Sequence, residues 1–251
     1  MIHSSGNGSL SLLELPEFTM RQLGLRGLNI PASMLSGWSL RDLDKLRDYA
    51  DKAACPCLVL YEETPLTFGH YDPARAEEAL VRTRNLAAAA HRMGCNSLSL
   101  TIQTPFSESA FESCTEAIKQ VMPSIERSEL NVLLAPEDRA SYPPERLTEL
   151  IKQIGGFRIG SLPTFSEAGR TGDIVQTLRM LAPYAGAIHA SIEGFNSKGV
   201  HTAYDLAACV SAVKSVGFLN TLAIEYLGDG DPLENIDQAR IVLQNAIDAD
   251  D

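Results

Sequence analysis

The stretch AIHASIEGFNSKGVHTAYDLAACVSAVKSVGFLNTLAIEYLGDGDP, residues 187–232, decides the fold. It opens on one short apolar run, AIHASIE, and closes on another, TLAIEYL. Both are brief and rich in Ile, Leu and Ala, as buried parallel strands are. Between them AYDLAACVSAVKSVG reads as a helix, opened by Thr202 with Asp205 and closed by Gly217. Strand, helix and strand in about 40 residues make one βαβ unit. Asp231-Pro232 then supplies the cap and first-turn proline of a further helix.

Outward from this stretch the unit recurs. Strands are expected at 9–15, 27–31, 57–62, 97–103, 131–137, 157–164, 187–193 and 221–227. Helix signals lie between them: Ser39 with Asp42, Asp72-Pro73 closed by Gly94, and Ser109 with Glu112. Strand starts in the second half are about 30 residues apart, one βα unit each. The first unit, from 9 to 27, is shorter. Eight strands with helices between them predict an α/β chain, a single (β/α)₈ TIM barrel over residues 1–251. An open doubly wound sheet would need a Gly-rich phosphate loop after an early strand, and neither GxGxxG nor GxxxxGK occurs.

Composition narrows the partners. The net charge is −11 and Lys/Arg clusters are absent, which disfavours a polyanion such as nucleic acid. The five cysteines, Cys55, Cys57, Cys95, Cys114 and Cys209, show no zinc or redox spacing. They are expected to be reduced, mostly buried thiols of a cytoplasmic protein. The N-terminus lacks the basic segment and apolar run of a signal peptide, and no window approaches a membrane span.

In a barrel the site lies at the C-terminal strand ends. That rule selects Glu137 and Asp138 after the fifth strand and Thr164 after the sixth. The seventh strand carries His189 and Glu193, and the eighth Glu225. A carboxylate or imidazole inside an apolar strand costs desolvation energy and persists when paired, metal-bound or functional. Taken singly, His189 reads as a satisfied core histidine and each Glu as half of an ion pair. Taken together, Glu137, His189 and Glu225 suit a divalent metal of intermediate softness. Glu62 and Glu63 end the third strand, and His70 and Tyr71 follow it. Lys198 and His201, after the seventh strand, either bind a substrate anion or cap a helix.

These segments resemble the xylose-isomerase-like superfamily of sugar isomerases and epimerases. LAPEDR (134–139) resembles its Leu-Ala-Ile-Glu-Asn-His segment, and GSLPTF (160–165) its Gly-Thr-Leu-Pro-Asp-Phe segment. AIHASIE is similar to its Val-His segment and LAIEYLGDGD to its Ile-Glu-Tyr segment. The likeness is clearest over 129–247.

The resemblance implies one divalent cation (Mn²⁺, Co²⁺, Zn²⁺ or Mg²⁺) with Glu137, His189 and Glu225 as ligands. It implies that Glu137 and Glu225 also move the substrate proton through an enediolate. The substrate would be a small keto-sugar or polyol. Its candidate contacts, read from their places at strand ends and in the loops that follow rather than from the resemblance, are Arg139, Glu193, Lys198, His201 and Glu62. Homo-oligomerisation is left open. Thr164 stands where the family places an Asp ligand, and Glu167 where some members carry a substrate-binding His. These departures support an alternative reading: a non-catalytic barrel with a degenerate metal site that binds a metabolite or a protein. A histidine-rich endonuclease branch of the superfamily is disfavoured by five scattered histidines and the acidic charge.

Overall fold

The computed structural model describes residues 10–69, 73–103, 107–137 and 142–249. Helices and strands alternate along the chain, which divides into two compact units. The first is Met1–Asp138 with Glu149–Gly160, and the second Arg139–Thr148 with Ser161–Asp251.

The first unit holds α1 (Leu15–Gln22), β1 (Leu28–Pro31), α2 (Leu40–Ala53), β2 (Cys57–Leu66), α3 (Pro73–Met93), β3 (Ser97–Ile102), α4 (Glu108–Glu126) and β4 (Asn131–Pro136). Helix α5 (Pro144–Ile154) and strand β5 (Ile159–Ser161) run through the division. Strands β1 to β5 form one sheet in chain order, and the β1–β2, β2–β3 and β3–β4 pairs are parallel. Leu98, Leu100 and Ile102 of β3 and Val132, Leu133 and Leu134 of β4 are all buried. Such near-continuous apolar runs belong to strands covered on both faces.

The second unit holds α6 (Phe165–Arg170), α7 (Ile174–Leu181), β6 (Ala187–Ile192), α8 (Leu206–Lys214), β7 (Thr221–Tyr226) and α9 (Pro232–Asp248). Strands β6 and β7 pair in parallel from Ala187–Thr221 to Ile192–Tyr226. Isolated parallel bridges join Ser161 to Ala185 and Thr164 to His189, so the segment leading into α6 runs beside β6.

Three expectations change. The strand expected over 9–15 does not form along its described residues; 10–14 are coil and turn, and α1 begins at Leu15. The Glu14 carboxylate accepts hydrogen bonds from the Ser11 N–H at 2.9 Å and hydroxyl at 2.7 Å, which closes a turn. Leu12, Pro16, Thr19 and Leu23 are the buried positions, and their spacing is helical rather than alternating. Seven strands are therefore present among the described residues.

Strand β5 is shorter than the expected 157–164. Gly155 and Gly156 take positive φ angles of 74° and 93° before it, and Phe157 is exposed. Beyond it Pro163 has no N–H to donate to a ladder.

Two caps also move. Ser107, not Ser109, caps α4, its hydroxyl accepting from the Ala110 N–H at 3.1 Å. Asp205, rather than Thr202, caps α8 through the N–H groups of Ala207 and Ala208. The Ser39–Asp42 pair forms as expected, with the Asp42 carboxylate accepting from the Ser39 hydroxyl at 2.7 Å and N–H at 3.1 Å. That hydroxyl, followed by Lys45, holds the Asp42 carboxyl down at about 2.

All five cysteines are free and buried, and burial pushes the Cys57, Cys114 and Cys209 thiols up to about 12. Among the described residues, no helix is long and apolar enough to cross a membrane.

Candidate functional site

Strand β6 reads AIHASI, and its two faces differ. Ile188, Ala190 and Ile192 enter the apolar cluster formed with Leu206, Cys209 and Val210 of α8 and Ala239 and Leu243 of α9. Leu222, Ile224 and Tyr226 of β7 pack on the same cluster. Side chains alternate along a strand, so His189, Ser191, Ala223 and Glu225 occupy the opposite face. The register sets Ser191 against Glu225 and His189 against Ala223. Apolar packing on one face thus places three polar groups together on the other.

Their geometry is specific. The Ser191 hydroxyl donates to Glu225 Oε2 at 2.9 Å. His189 Nδ1 lies 3.5 Å from Glu225 Oε1. The His189 side chain is 6% exposed and that of Glu225 31%, so the imidazole is enclosed while the carboxylate reaches solvent. Ser191 escaped sequence reasoning. Its signal was its place two residues beyond His189, on the same strand face.

Thr164 and Glu167 form one device. The Thr164 hydroxyl accepts from the Glu167 N–H at 3.2 Å and donates to Glu167 Oε2 at 2.9 Å. The Thr164 hydroxyl thereby caps α6, and the Glu167 carboxylate bonds to that hydroxyl. The backbone there is tied to β6, with the His189 N–H donating to the Pro163 carbonyl at 3.0 Å.

The loop after β6 is held by His201. Its Nε2 accepts the Glu193 N–H at 3.1 Å, which places the proton of a neutral ring on Nδ1. Nδ1–H then donates to the Tyr204 carbonyl, 3.1 Å away. Burial lowers the His201 pKa and raises that of Tyr204, whose hydroxyl donates to the Ser191 carbonyl. Gly228 completes the junction; a Cβ there would come within 2.1 Å of the Glu193 carbonyl oxygen. Glu193 and Lys198 are exposed.

His201 makes stability depend on pH. Its folded pKa lies below its ordinary 6.5, so near that pH the unfolded chain binds more protons. The stabilisation is complete above 6.5 and falls away as pH drops through the lowered value. Urea midpoints at pH 7 and pH 5 are expected to differ less in His201→Gln than in the wild type.

In the first unit Glu137 follows β4, its N–H donating to the Ile102 carbonyl at 2.8 Å and its side chain exposed. Glu62 is buried. Its Oε2 accepts from Arg82 Nε at 2.6 Å and its Oε1 from the Thr64 N–H at 3.1 Å. Arg82→Ala would leave this carboxylate with one neutral donor, at a cost of about 2 kcal/mol. The cost should appear as a lowered chemical-denaturation midpoint with an unchanged slope. Arg139, Asp138, His70 and Tyr71 lie outside the described residues.

Among the described residues, no three His, Cys, Asp or Glu side chains gather in a group suited to a metal ion. His189 and Glu225 are two adjacent donors, and Thr164 beside them offers a hydroxyl already engaged by Glu167.

No family model matches the sequence, and no curated protein matches it. Solved structures do. An L-ribulose 3-epimerase superposes with a TM-score of 0.80 at 13% identity, covering 94% of this chain and 88% of that one. A xylose isomerase domain protein from Planctomyces limnophilus gives 0.73 at 14% identity, covering 93% and 90%. This is the xylose-isomerase-like TIM-barrel fold. The IOLI protein with a binding zinc atom shares it, at a TM-score of 0.73, 15% identity and coverage of 94% and 92%. In a TIM barrel the site lies at the C-terminal strand ends; Glu225 is the fifth residue of β7, and Thr164 follows the end of β5 and bridges to His189 within β6.

Proposed function

We propose that residues 1–251 act as one domain, an isomerase or epimerase for a small keto-sugar or polyol. The observation that carries this reading is the Glu225 carboxylate, held by Ser191 and flanked by His189 on the polar face of β6 and β7. Sugar epimerases among the structures of this fold support it.

Glu225 takes a proton from the carbon beside the substrate carbonyl. The C–H electron pair becomes the C=C bond of an enediolate, and the carbonyl oxygen takes the charge. Return of that proton by Glu225 to the former carbonyl carbon, while the proton of the adjacent hydroxyl passes to the former carbonyl oxygen, completes an isomerisation. Epimerisation instead needs a second carboxyl group, already protonated, to deliver its own proton to the other face of the same carbon while Glu225 keeps the one it took; Glu137 is the candidate. Ser191 keeps one carboxylate oxygen fixed, so the other meets the substrate. His189 is the adjacent group able to exchange a proton with the enediolate oxygen.

The cation implied by the sequence resemblance is a separate question. The described residues do not form a ready-made centre, since Thr164 supplies no charge and its hydroxyl is engaged by Glu167 both as donor and as acceptor. No step above passes through a metal.

The same Thr164–Glu167 pair favours a second reading, a barrel that binds a metabolite without turning it over. Exhaustively chelated protein incubated with ketoses, aldoses and polyols separates the two. A new sugar isomer supports the enzyme. A ligand-induced rise in melting temperature without product replaces it with the binding protein.

A further inference from the structure

Strand β6 has a backbone neighbour on both sides only as far as His189. The His189 N–H donates to the Pro163 carbonyl at 3.0 Å and Thr164 bridges to His189, but the chain then turns into α6 at Phe165. Backbone groups of alternate residues point to the same side of a strand. Ile192 gives its carbonyl to the Leu227 N–H, on the β7 side. Ser191 and Glu193, like His189, therefore face the side on which the neighbouring segment has ended.

One turn fills that edge. The Tyr204 hydroxyl donates to the Ser191 carbonyl, and His201 Nε2 accepts the Glu193 N–H at 3.1 Å. The turn is itself fixed. Phe195 and His201 form an antiparallel bridge, and Asn196 Oδ1 accepts from the N–H groups of Lys198 at 2.9 Å and Val200 at 3.1 Å. The Tyr204 ring meets the buried Phe165 edge-on, with centroids 6.3 Å apart, and lies 4.5 Å from the His201 ring. Burial raises the Tyr204 pKa above its ordinary 10, so the hydroxyl keeps its proton and remains a donor.

We infer that Tyr204 is a positioning residue for Glu225: by holding the Ser191 carbonyl it keeps the Ser191 hydroxyl on the Glu225 carboxylate. The inference rests on the reading of Glu225 as the group that moves the proton. Ser191 is 0% exposed, and its hydroxyl reaches Glu225 Oε2 at 2.9 Å. Without the tyrosine donor its carbonyl is unsatisfied inside the fold, which favours a tilt of the peptide toward another donor. The Cα–Cβ bond turns with the peptide and carries the hydroxyl off the carboxylate. A misplacement of about 1 Å can slow a positioned reaction about 100-fold.

A double-mutant cycle on the full chain separates positioning from mere support. Rates are read as deuterium uptake from D₂O by the ketoses and aldoses that the wild type labels. Tyr204→Phe keeps the ring and removes only the donor, so kcat is expected to fall about tenfold with KM changed by less than about twofold. In the Ser191→Ala background the same change should lower kcat by less than about twofold, since no hydroxyl is left to place. Its effect on melting temperature should be the same in both backgrounds. NMR three-bond couplings of Ser191 read the placement without turnover, with one χ1 rotamer expected in the wild type and averaging in Tyr204→Phe. Should Tyr204→Phe not fold, His201→Gln, which loosens the turn, takes its place with a smaller effect of the same pattern. A wild type that labels no sugar removes the reading of Glu225, and the couplings still decide the placement. A fixed Ser191 rotamer in the variant, or equal kcat losses with and without the Ser191 hydroxyl, would overturn the proposal.

Discussion

Glu225→Gln is expected to lower kcat on the cognate sugar by about 10²–10⁴-fold, the usual loss when a general base is removed. The amide keeps the size of the carboxylate and can still accept from the Ser191 hydroxyl, which now bonds to Glu225 Oε2 at 2.9 Å. It cannot take a proton from carbon. The loss should therefore fall on kcat, with KM changed little, because the removed interaction acts in the transition state rather than in binding. Ser191→Ala should give a smaller loss of the same kind, since it frees the carboxylate without removing it. Far-ultraviolet spectra and melting temperature should stay close to wild type in Glu225→Gln, because the side chain reaches solvent and carries none of the apolar packing of β7.

Thr164→Asp is expected to raise affinity for Mn²⁺ or Co²⁺ by at least about 100-fold, measured by calorimetry on chelator-treated protein. The argument is one of charge and occupancy. Thr164 pairs with His189 along the backbone, and His189 lies beside Glu225. A third anionic donor would complete a set suited to such a cation. The wild-type hydroxyl is neutral and donates to Glu167. Aspartate remains a good N-cap, so α6 should persist, although its charge would repel Glu167. Thr164→Asp combined with Glu167→Gln removes that repulsion and should bind the cation more tightly still. An affinity unchanged in both variants would show that His189 and Glu225 are not ligands.

The fold was legible where period and punctuation agreed. AIHASIE and TLAIEYL form β6 and β7 because their alternate residues meet a helix-covered core. His189 and Glu225 stand out in the sequence as polar groups within those runs. The N-terminal misreading came from composition overriding period: the apolar residues around Leu12 suggested a strand, while Leu12, Pro16, Thr19 and Leu23 follow a helix.

Within the site, Thr164 and Glu167 read as two unrelated departures from a family pattern. They are one hydrogen-bonded helix cap, and the T-x-x-E spacing was the available signal. Other features depend on contacts that no local pattern encodes. The Glu62 partner lies on α3, reached only through the packing of that helix on β2. The His201 tautomer is set by the backbone N–H of Glu193, eight residues away across a loop.

Proton transfer by Glu225 can be followed without knowing the product. The wild-type chain is incubated in D₂O with ketoses and aldoses, and the recovered sugars are read by NMR. The expected result is deuterium at the carbon beside the carbonyl of at least one sugar, and its loss in Glu225→Gln. Label absent from every sugar with the wild type, or incorporated equally by Glu225→Gln, would contradict the assignment of Glu225 as the group that moves the proton.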